Sequence, residues 1–459
     1  MGRVTRARPP AQDFGSRAER FAAGKMLRRR LPRSSHAIWA PASDRPDPVE
    51  LLQRYDRLRR ADLLPIRYGR MSLSPFAFLR GSAVVMANDF ATTPVTGPRV
   101  QLCGDAHMNN FGVFATPERD LVFDLDDFDE TLPGPWEWDV KRLATSLVLA
   151  GRQNRFSRDL LCETTRATVR AYRRSLAIYA RMRYLTIWYS HLDRKSLPMD
   201  LRRRARKQIG RMLDRAVGRT EFNAVPRVAK PVRGEYRIRE EPPLIVHYKD
   251  RADAEGAVRL YENYLATLPA SGRMLLEHYR WVDVAQKVVG VGSVGTNCSV
   301  LLLMGDRDIL DPLFLQVKQA LPSVLEPYAG ASVHSSHGQR VVAGQHLIQE
   351  ASDELLGWST LGSNDYYVRQ LRDMRVSFAV ATAGRKAMIG KGEACGAALA
   401  RAHARTGDPA LISGYLGEGT GFDEAITAFA EAYADQTEQD YAEFVRAIKS
   451  GRLGAEVGV

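Results

Sequence analysis

Cysteine is scarce in this chain, with four among 459 residues. Cys103, Cys162, Cys298 and Cys395 lie far apart and show no CxxC spacing. That pattern excludes a disulfide-stapled scaffold and a cysteine-rich zinc site, and it fits a reducing compartment. Long apolar runs are missing too. No window approaches the ~18 apolar residues of a membrane span, and the basic N-terminal region has no apolar core of signal-peptide type. The expectation is a cytoplasmic protein with no membrane partner. Acidic residues are in deficit, 53 Asp plus Glu against 66 Lys plus Arg, for a net charge of +13. Ten Lys/Arg and two Asp/Glu fall in residues 1 to 34, so most of the excess belongs to a tail. With little apolar periodicity, the tail reads as a solvated arm. A second basic run, Arg202 to Arg219, has Leu201, Ala205, Ile209, Met212 and Ala216 at helical spacing. It reads as an amphipathic helix with its charges outward. Nucleic acid is therefore not expected as the main partner.

What is present points to α+β. Residues 1–46 read as a basic tail and 47–280 as a mainly helical lobe. Residues 281–372 read as a β-rich lobe, and 373–459 as helices packing back on the first lobe. The first helix of the folded body is expected to start at Pro48, capped by Asp47, with a stripe of Val49, Leu52, Tyr55 and Leu58. Further helices are expected over 138–152, 157–217, 339–356, 374–405 and 422–449. Pro226 to Pro243 reads as a linker, and 281–320 as strands around a glycine cluster.

Two segments carry chemistry. Cys103-Gly104-Asp105-Ala106-His107-Met108-Asn109-Asn110 precedes a hairpin of Phe111–Phe114 with Leu121–Phe123, and Asp124-Leu125-Asp126-Asp127-Phe128-Asp129-Glu130 follows. The hairpin is expected to bring Asp105, Asn110 and Asp124 to one end. Carboxylates with one amide oxygen suit Mg²⁺ rather than zinc or copper, and Asp126 and Asp127 are alternate ligands. Asp105 can accept a proton from an attacking hydroxyl. The second segment, Lys287 to Thr296, places Gly290, Gly292, Ser293 and Gly295 between two strands. The flap's backbone can lie close over phosphates, and Lys318 ends an apolar strand downstream.

Together these segments resemble the protein-kinase-like superfamily, especially its aminoglycoside and choline phosphotransferase branch. Asp105 and Asn110 have the spacing of that branch's catalytic loop, and His107 fits its pattern. Asp124 takes the place of its metal-binding Asp. The segment around Asp139 resembles the helix start that braces the loop. The glycine cluster lies downstream of the catalytic loop, so the resemblance implies a circularly permuted, two-lobed kinase-like fold. It also implies transfer of the γ-phosphate of ATP, with Mg²⁺, to a hydroxyl on a small molecule. In that scheme Lys318 meets the nucleotide phosphates with Glu326 as its carboxylate partner. Three further segments, Ser74-Pro75-Phe76-Ala77-Phe78-Leu79-Arg80-Gly81, Leu132 to Asp139 and Tyr367 to Met374, carry a second resemblance. Through them the chain as a whole resembles an uncharacterised bacterial family, domain of unknown function 2252.

Other readings compete. A catalytically inactive kinase-like module would bind nucleotide, or nothing, and act as a scaffold. Asp126 to Glu130 also spells the DDxxE of a diphosphate-ionising synthase. That motif belongs on a helix, whereas a strand-like run precedes it here and Leu132-Pro133-Gly134-Pro135 follows. Nicotinamide binding through the glycines needs a helix after Gly295, where Cys298 to Leu303 reads as a strand.

Overall fold

The computed structural model describes residues 15–192, 203–216, 225, 228–306, 310–351, 353–371, 376, 378 and 380–458. Ser16 opens α1 (Arg17–Arg30) with a reciprocal capping box to Glu19. From here on the basic arm is docked through Arg28 and Arg33, while Arg17, Lys25, Arg29 and Arg30 stay exposed. Arg28 donates to the carbonyl oxygens of Gly414 and Tyr415, and Arg33 donates to that of Leu416. These carbonyls end the helix Pro409–Leu416, where cationic groups are favoured. Buried His36 bonds the Tyr415 hydroxyl at 2.8 Å. The part of the tail before residue 15 lies outside the described residues.

Asp47 accepts from the N–H groups of Val49 and Glu50 at the start of α2 (Pro48–Asp56). Three short helices follow, α3 (Leu64–Met71), α4 (Pro75–Gly81) and α5 (Ala83–Phe90). Glu456 near the other end of the chain donates its N–H to the Pro65 carbonyl at 2.8 Å. A Cβ on Gly69 would sit 1.7 Å from the Glu456 oxygen, so α3 and the C-terminal segment meet backbone to backbone.

The helical body begins with β1 (Arg99–Leu102), paired antiparallel with β4 (Leu132–Pro135). Between them lies the expected hairpin, β2 (Phe111–Ala115) with β3 (Leu121–Leu125). Four helices follow, α6 (Trp136–Gln153), α7 (Arg158–Tyr179), α8 (Tyr184–Trp188) and α9 (Arg203–Ala216). On α9, Ile209, Met212, Leu213 and Ala216 are buried while Arg206, Lys207, Arg211 and Arg215 are exposed. The second basic run is thus the solvated face of an amphipathic helix over its described residues. Leu201, Arg202 and residues 217–219 of that expectation lie outside them, as do residues 372–375 at the start of the helix expected over 374–405.

Where a linker was expected, β5 (Ala229–Val232) and β6 (Glu235–Ile238) form a hairpin. The chain then builds β7 (Ile245–His247), α10 (Arg251–Leu265), α11 (Ala270–Leu276), β8 (Arg280–Lys287), β9 (Cys298–Met304) and β10 (Pro312–Ala320). Two helices, α12 (Glu326–Ala329) and α13 (His337–Ile348), precede β11 (Gly357–Leu361) and β12 (Asn364–Gln370). The sheet has six strands in the order β11-β12-β10-β9-β8-β7, each antiparallel to its neighbours. Along β9, Leu301 and Leu303 join one core cluster with Leu260 and Tyr264, whereas Val300 and Leu302 join another with Ile238 and Phe314. Alternation buries both faces. This corrects the lobe boundary: the sheet unit starts near residue 228, not 281, because β7 pairs with β8 and α10 covers one face.

The chain closes with α14 (Arg385–Thr406), α15 (Pro409–Leu416) and α16 (Gly421–Lys449). These helices pack on the body, α14 against α7 and α16 against α6. The fold is mixed α+β with a helical body beside a six-stranded sheet. Among the described residues no helix is long and apolar enough to cross a membrane.

Candidate functional site

A cleft of about 290 Å³ opens between the body and the sheet. It is lined by Asp105, His107 and Asn110 after β1, by Asp127, Asp129 and Glu130 after β3, by the glycine turn between β8 and β9, and by Lys318 on β10.

The loop after β1 is built by α6. Gly104 has φ +85°, and a Cβ there would lie 2.2 Å from the Glu130 carbonyl oxygen, so the turn excludes a side chain. The Asp139 carboxylate accepts the N–H groups of Cys103 at 2.8 Å and Gly104 at 3.0 Å. Behind it His403 Nε2 lies at 3.3 Å, and His403 Nδ1 meets the Tyr172 hydroxyl at 2.9 Å. One turn along α6, on the same face, Arg142 bonds Asp105 through Nε at 2.8 Å and Nη2 at 2.7 Å. Both contacts go to Oδ1. Oδ2 has His107 Nε2 at 3.8 Å, and the Asp105 carbonyl accepts from Asn110 Nδ2 at 2.7 Å. The Asn110 donor is thus occupied and its amide oxygen is left as the acceptor. Burial holds the His107 imidazole down at about 3, so it is neutral near pH 7.

The acidic segment divides by position. Asp124 lies inside β3 opposite Gly112 and is fully buried away from the cleft. Its Oδ2 accepts from Arg401 of α14 and from the N–H of Glu350, both at 2.6 Å. Asp124 is therefore a structural ion-pair member and not a cleft carboxylate, which corrects its assignment to a metal. Asp126 is buried as well, with its backbone oxygen bound by Arg369, and it does not line the cleft. Past the strand end the side chains turn outward. Asp127 has a buried Oδ1 without a hydrogen-bond partner among the described residues, and Lys318 Nζ stands 3.5 Å away. Burial and then the charge of Asp129 push its carboxyl above the usual range. The Asp129 carboxyl would be raised by burial too, but the ammonium of Lys318 and hydrogen bonds from Lys318 and Tyr367 hold it at about 2. Glu130 is pushed up to about 7, chiefly by burial.

The glycine turn has φ +65° at Gly290 and +89° at Gly295. Gly290, Gly292 and Ser293 line the cleft, whereas Gly295 faces Arg59. Lys318 is 2% exposed. Burial disfavours its charged form, but Asp127 and Asp129 outweigh that and raise the ammonium well above its ordinary value. Glu326 is elsewhere. It faces His337 Nδ1 at 3.6 Å and Arg340 Nε at 3.9 Å and does not line the cleft, so its pairing with Lys318 is corrected. Eight residues of separation on a chain that turns after β10 carries Glu326 away from the sheet face bearing Lys318.

A family model described as an uncharacterized protein conserved in bacteria, DUF2252, matches residues 59–447. The chain belongs to this family. No curated protein and no solved structure matches it. The DUF2252 region contains the cleft-lining residues except Tyr55.

Sequence reasoning missed one wall of this DUF2252 cleft, made by Tyr55, Arg67 and Arg80 of the helices after residue 47 and by Arg59 in the turn after α2. Arg67 donates to the carbonyl oxygens of Gly292 at 2.8 Å, Val291 at 3.0 Å and Gly81 at 2.6 Å. It also pairs with Asp56 at 3.2 Å. Arg70 holds the Gly290 oxygen at 2.6 Å, Arg59 that of Val294 at 2.9 Å, and the Arg60 N–H that of Gly295 at 2.7 Å. The turn is gripped by its carbonyls. One signal was readable in advance: Leu64, Arg67 and Met71 share a helical face, which puts an arginine inside an apolar stripe.

Proposed function

We propose that the cleft is the active site of a phosphotransferase that moves the γ-phosphate of ATP to a hydroxyl of a small acceptor, on a kinase-like framework whose glycine turn follows its catalytic loop in the chain. The observation that carries this reading is convergence. Asp105, Asn110, Asp127, Lys318 and the glycine turn, spread over about 210 residues of chain, line one cavity. A cleft-lining carboxylate fixed through one oxygen by Arg142, with its other oxygen not engaged by that arginine, suits orientation of an attacking hydroxyl. The grip on the turn carbonyls adds support. In a trans peptide the N–H points opposite its C=O, so the amides of Val291, Gly292, Ser293 and Gly295 point away from the arginines that hold the preceding oxygens. An arc of N–H groups of this kind favours phosphate oxygens.

Among the described residues no three His, Cys, Asp or Glu side chains form a ready-made metal cage. Mg²⁺ in phosphotransferases does not need one, because it takes one or two carboxylates plus substrate phosphates. The orphaned Asp127 Oδ1 and the amide oxygen of Asn110 fit that role; Asp124 and Asp126 do not. When bound, the ion neutralises charge on the transferring phosphoryl group. Lys318 binds phosphate oxygens, Asp105 holds the acceptor hydroxyl, and Asp139 with Arg142 keeps the loop in register.

Calorimetry of Mg·ATP with the wild type, Lys318→Ala and Asp127→Ala tests the site. The wild type should bind, and each variant should bind at least tenfold more weakly. No wild-type binding, or equal binding in all three, refutes it. Binding without turnover against a broad panel of hydroxyl acceptors would instead favour a nucleotide-binding scaffold.

A further inference from the structure

Lys318 poses a problem of charge. An ammonium buried to 2% exposure is costly unless an anion and hydrogen bonds compensate it. Glu326 does not do so, since it is committed to His337 and Arg340. The compensation comes across the cleft from two carboxylates, Asp127 at 3.5 Å and Asp129, whose Oδ2 alone accepts a hydrogen bond from Lys318 Nζ, at 2.8 Å.

The same carboxylate has two further donors. Ser293 Oγ, on the glycine turn, meets Oδ2 at 3.1 Å, and the Tyr367 hydroxyl, on β12, meets Oδ1 at 2.6 Å. Tyr367 is the direct cross-strand partner of Lys318. The Asp129 backbone is fixed in turn, because Arg340 donates to its carbonyl oxygen at 2.8 Å and to that of Thr131 at 2.8 Å. One carboxylate therefore joins the acidic segment to the glycine turn and to two adjacent strands of the sheet.

We propose that Asp129 is a positioning residue: it supplies from the acidic segment the anion that holds Lys318, and through Ser293 and Tyr367 it sets the glycine turn and the sheet at a fixed spacing from the loop bearing Asp105. The consequence for nucleotide rests on the phosphotransferase reading above, whereas the grip on Lys318 does not. Two kinds of contact divide the work. Asp127, whose Oδ1 faces Lys318 at 3.5 Å without a hydrogen-bond donor, keeps lone pairs for a bound cation, and Asp129, with three donors, serves the protein.

The test measures Lys318 itself. Residue-resolved acetylation by acetic anhydride, read by mass spectrometry, compares the wild type with Asp129→Asn, which keeps the shape and removes the charge. Lys318 should react at least tenfold faster in Asp129→Asn while the exposed lysines keep their rates. Ser293→Ala and Tyr367→Phe each remove one donor and should give smaller rises at Lys318, about two- to fivefold. They keep the test open should Asp129→Asn fail to fold. Unchanged Lys318 labelling in the folded variants overturns the proposal, as does a rise shared by all lysines, which reports general loosening. In parallel, Mg·ATP affinity should fall at least tenfold in Asp129→Asn, and unchanged affinity there overturns the positioning role. If wild-type protein binds no Mg·ATP, the phosphotransferase reading fails and the labelling alone decides the role of Asp129.

Discussion

Replacing Asp124 by Ala separates a structural ion pair from a metal ligand. The carboxylate and the Arg401 side chain are both at 0% exposure, 2.6 Å apart. Removing one member of such a pair strands the other, at a cost of about 3–5 kcal/mol. The Glu350 N–H also loses its acceptor, an orphaned donor costing about 1–3 kcal/mol. One term pulls the other way. Glu350 stands close enough for its charge to act on Arg401, so the guanidinium keeps some compensation. The balance is a loss of about 4 kcal/mol, or roughly 4 °C in melting temperature if the 459 residues unfold together. Asp124→Ala with Arg401→Met should recover much of it, since an apolar pair of similar volume is often neutral. Urea titration of both single variants and the double variant gives the coupling, and calorimetry on the folded fraction gives Mg·ATP affinity. A wild-type urea midpoint in Asp124→Ala with lost Mg²⁺-dependent binding would refute the structural assignment.

Arg67→Ala should loosen the glycine turn, because two carbonyls of the turn lose their shared donor while Asp56 keeps Arg59 at 3.0 Å. Hydrogen exchange over residues 288–297 should speed up severalfold, and unchanged exchange would count against the clamp. Acid should destabilise the fold through its buried imidazoles. His36 and His107 are both held down at about 3, chiefly by burial, against an ordinary value of 6.5. Below pH 6.5 the unfolded chain takes up protons that the folded one refuses, so stability present above 6.5 drains away as pH falls towards 3. The slope is about 1.4 kcal/mol per pH unit for each group. Glu130, raised to about 7 from 4.5, has the opposite slope between those values, so the comparison must be with a variant. His36→Gln should flatten the fall of the urea midpoint between pH 6.5 and 5 by one proton's worth, and a parallel profile would dismiss the assignment.

Features set by neighbours in the chain were legible. The Asp105–Asn110 spacing, the hairpin after it, the glycine turn between strands and Lys318 on its strand follow from local turn chemistry and two-residue alternation, and these segments meet at the cleft. Asp124 was misjudged because its partner, Arg401, lies 277 residues away on a helix otherwise rich in alanine. Glu326, eight residues after Lys318, is the partner implied by the kinase-like resemblance, while the carboxylate hydrogen-bonded to Lys318 precedes it by 189 residues. The basic arm looked solvated because charge composition does not show that Arg28 and Arg33 end on the carbonyls of α15. The wall at Arg59 and Arg67 shows in sequence only as an arginine within the apolar stripe of α3, because its targets are backbone oxygens, which every sequence contains.

The contact of Glu456 with α3 bears on how the protein is handled. The helix touched by that C-terminal segment is the one whose Arg67 and Arg70 hold the glycine turn. A purification handle joined directly after Glu456 would sit at this junction, and its drag would reach the cleft through a single short helix. Binding assays on this protein are therefore better run with the handle at the other end or cleaved away, so that a weak nucleotide signal is not mistaken for an absent one.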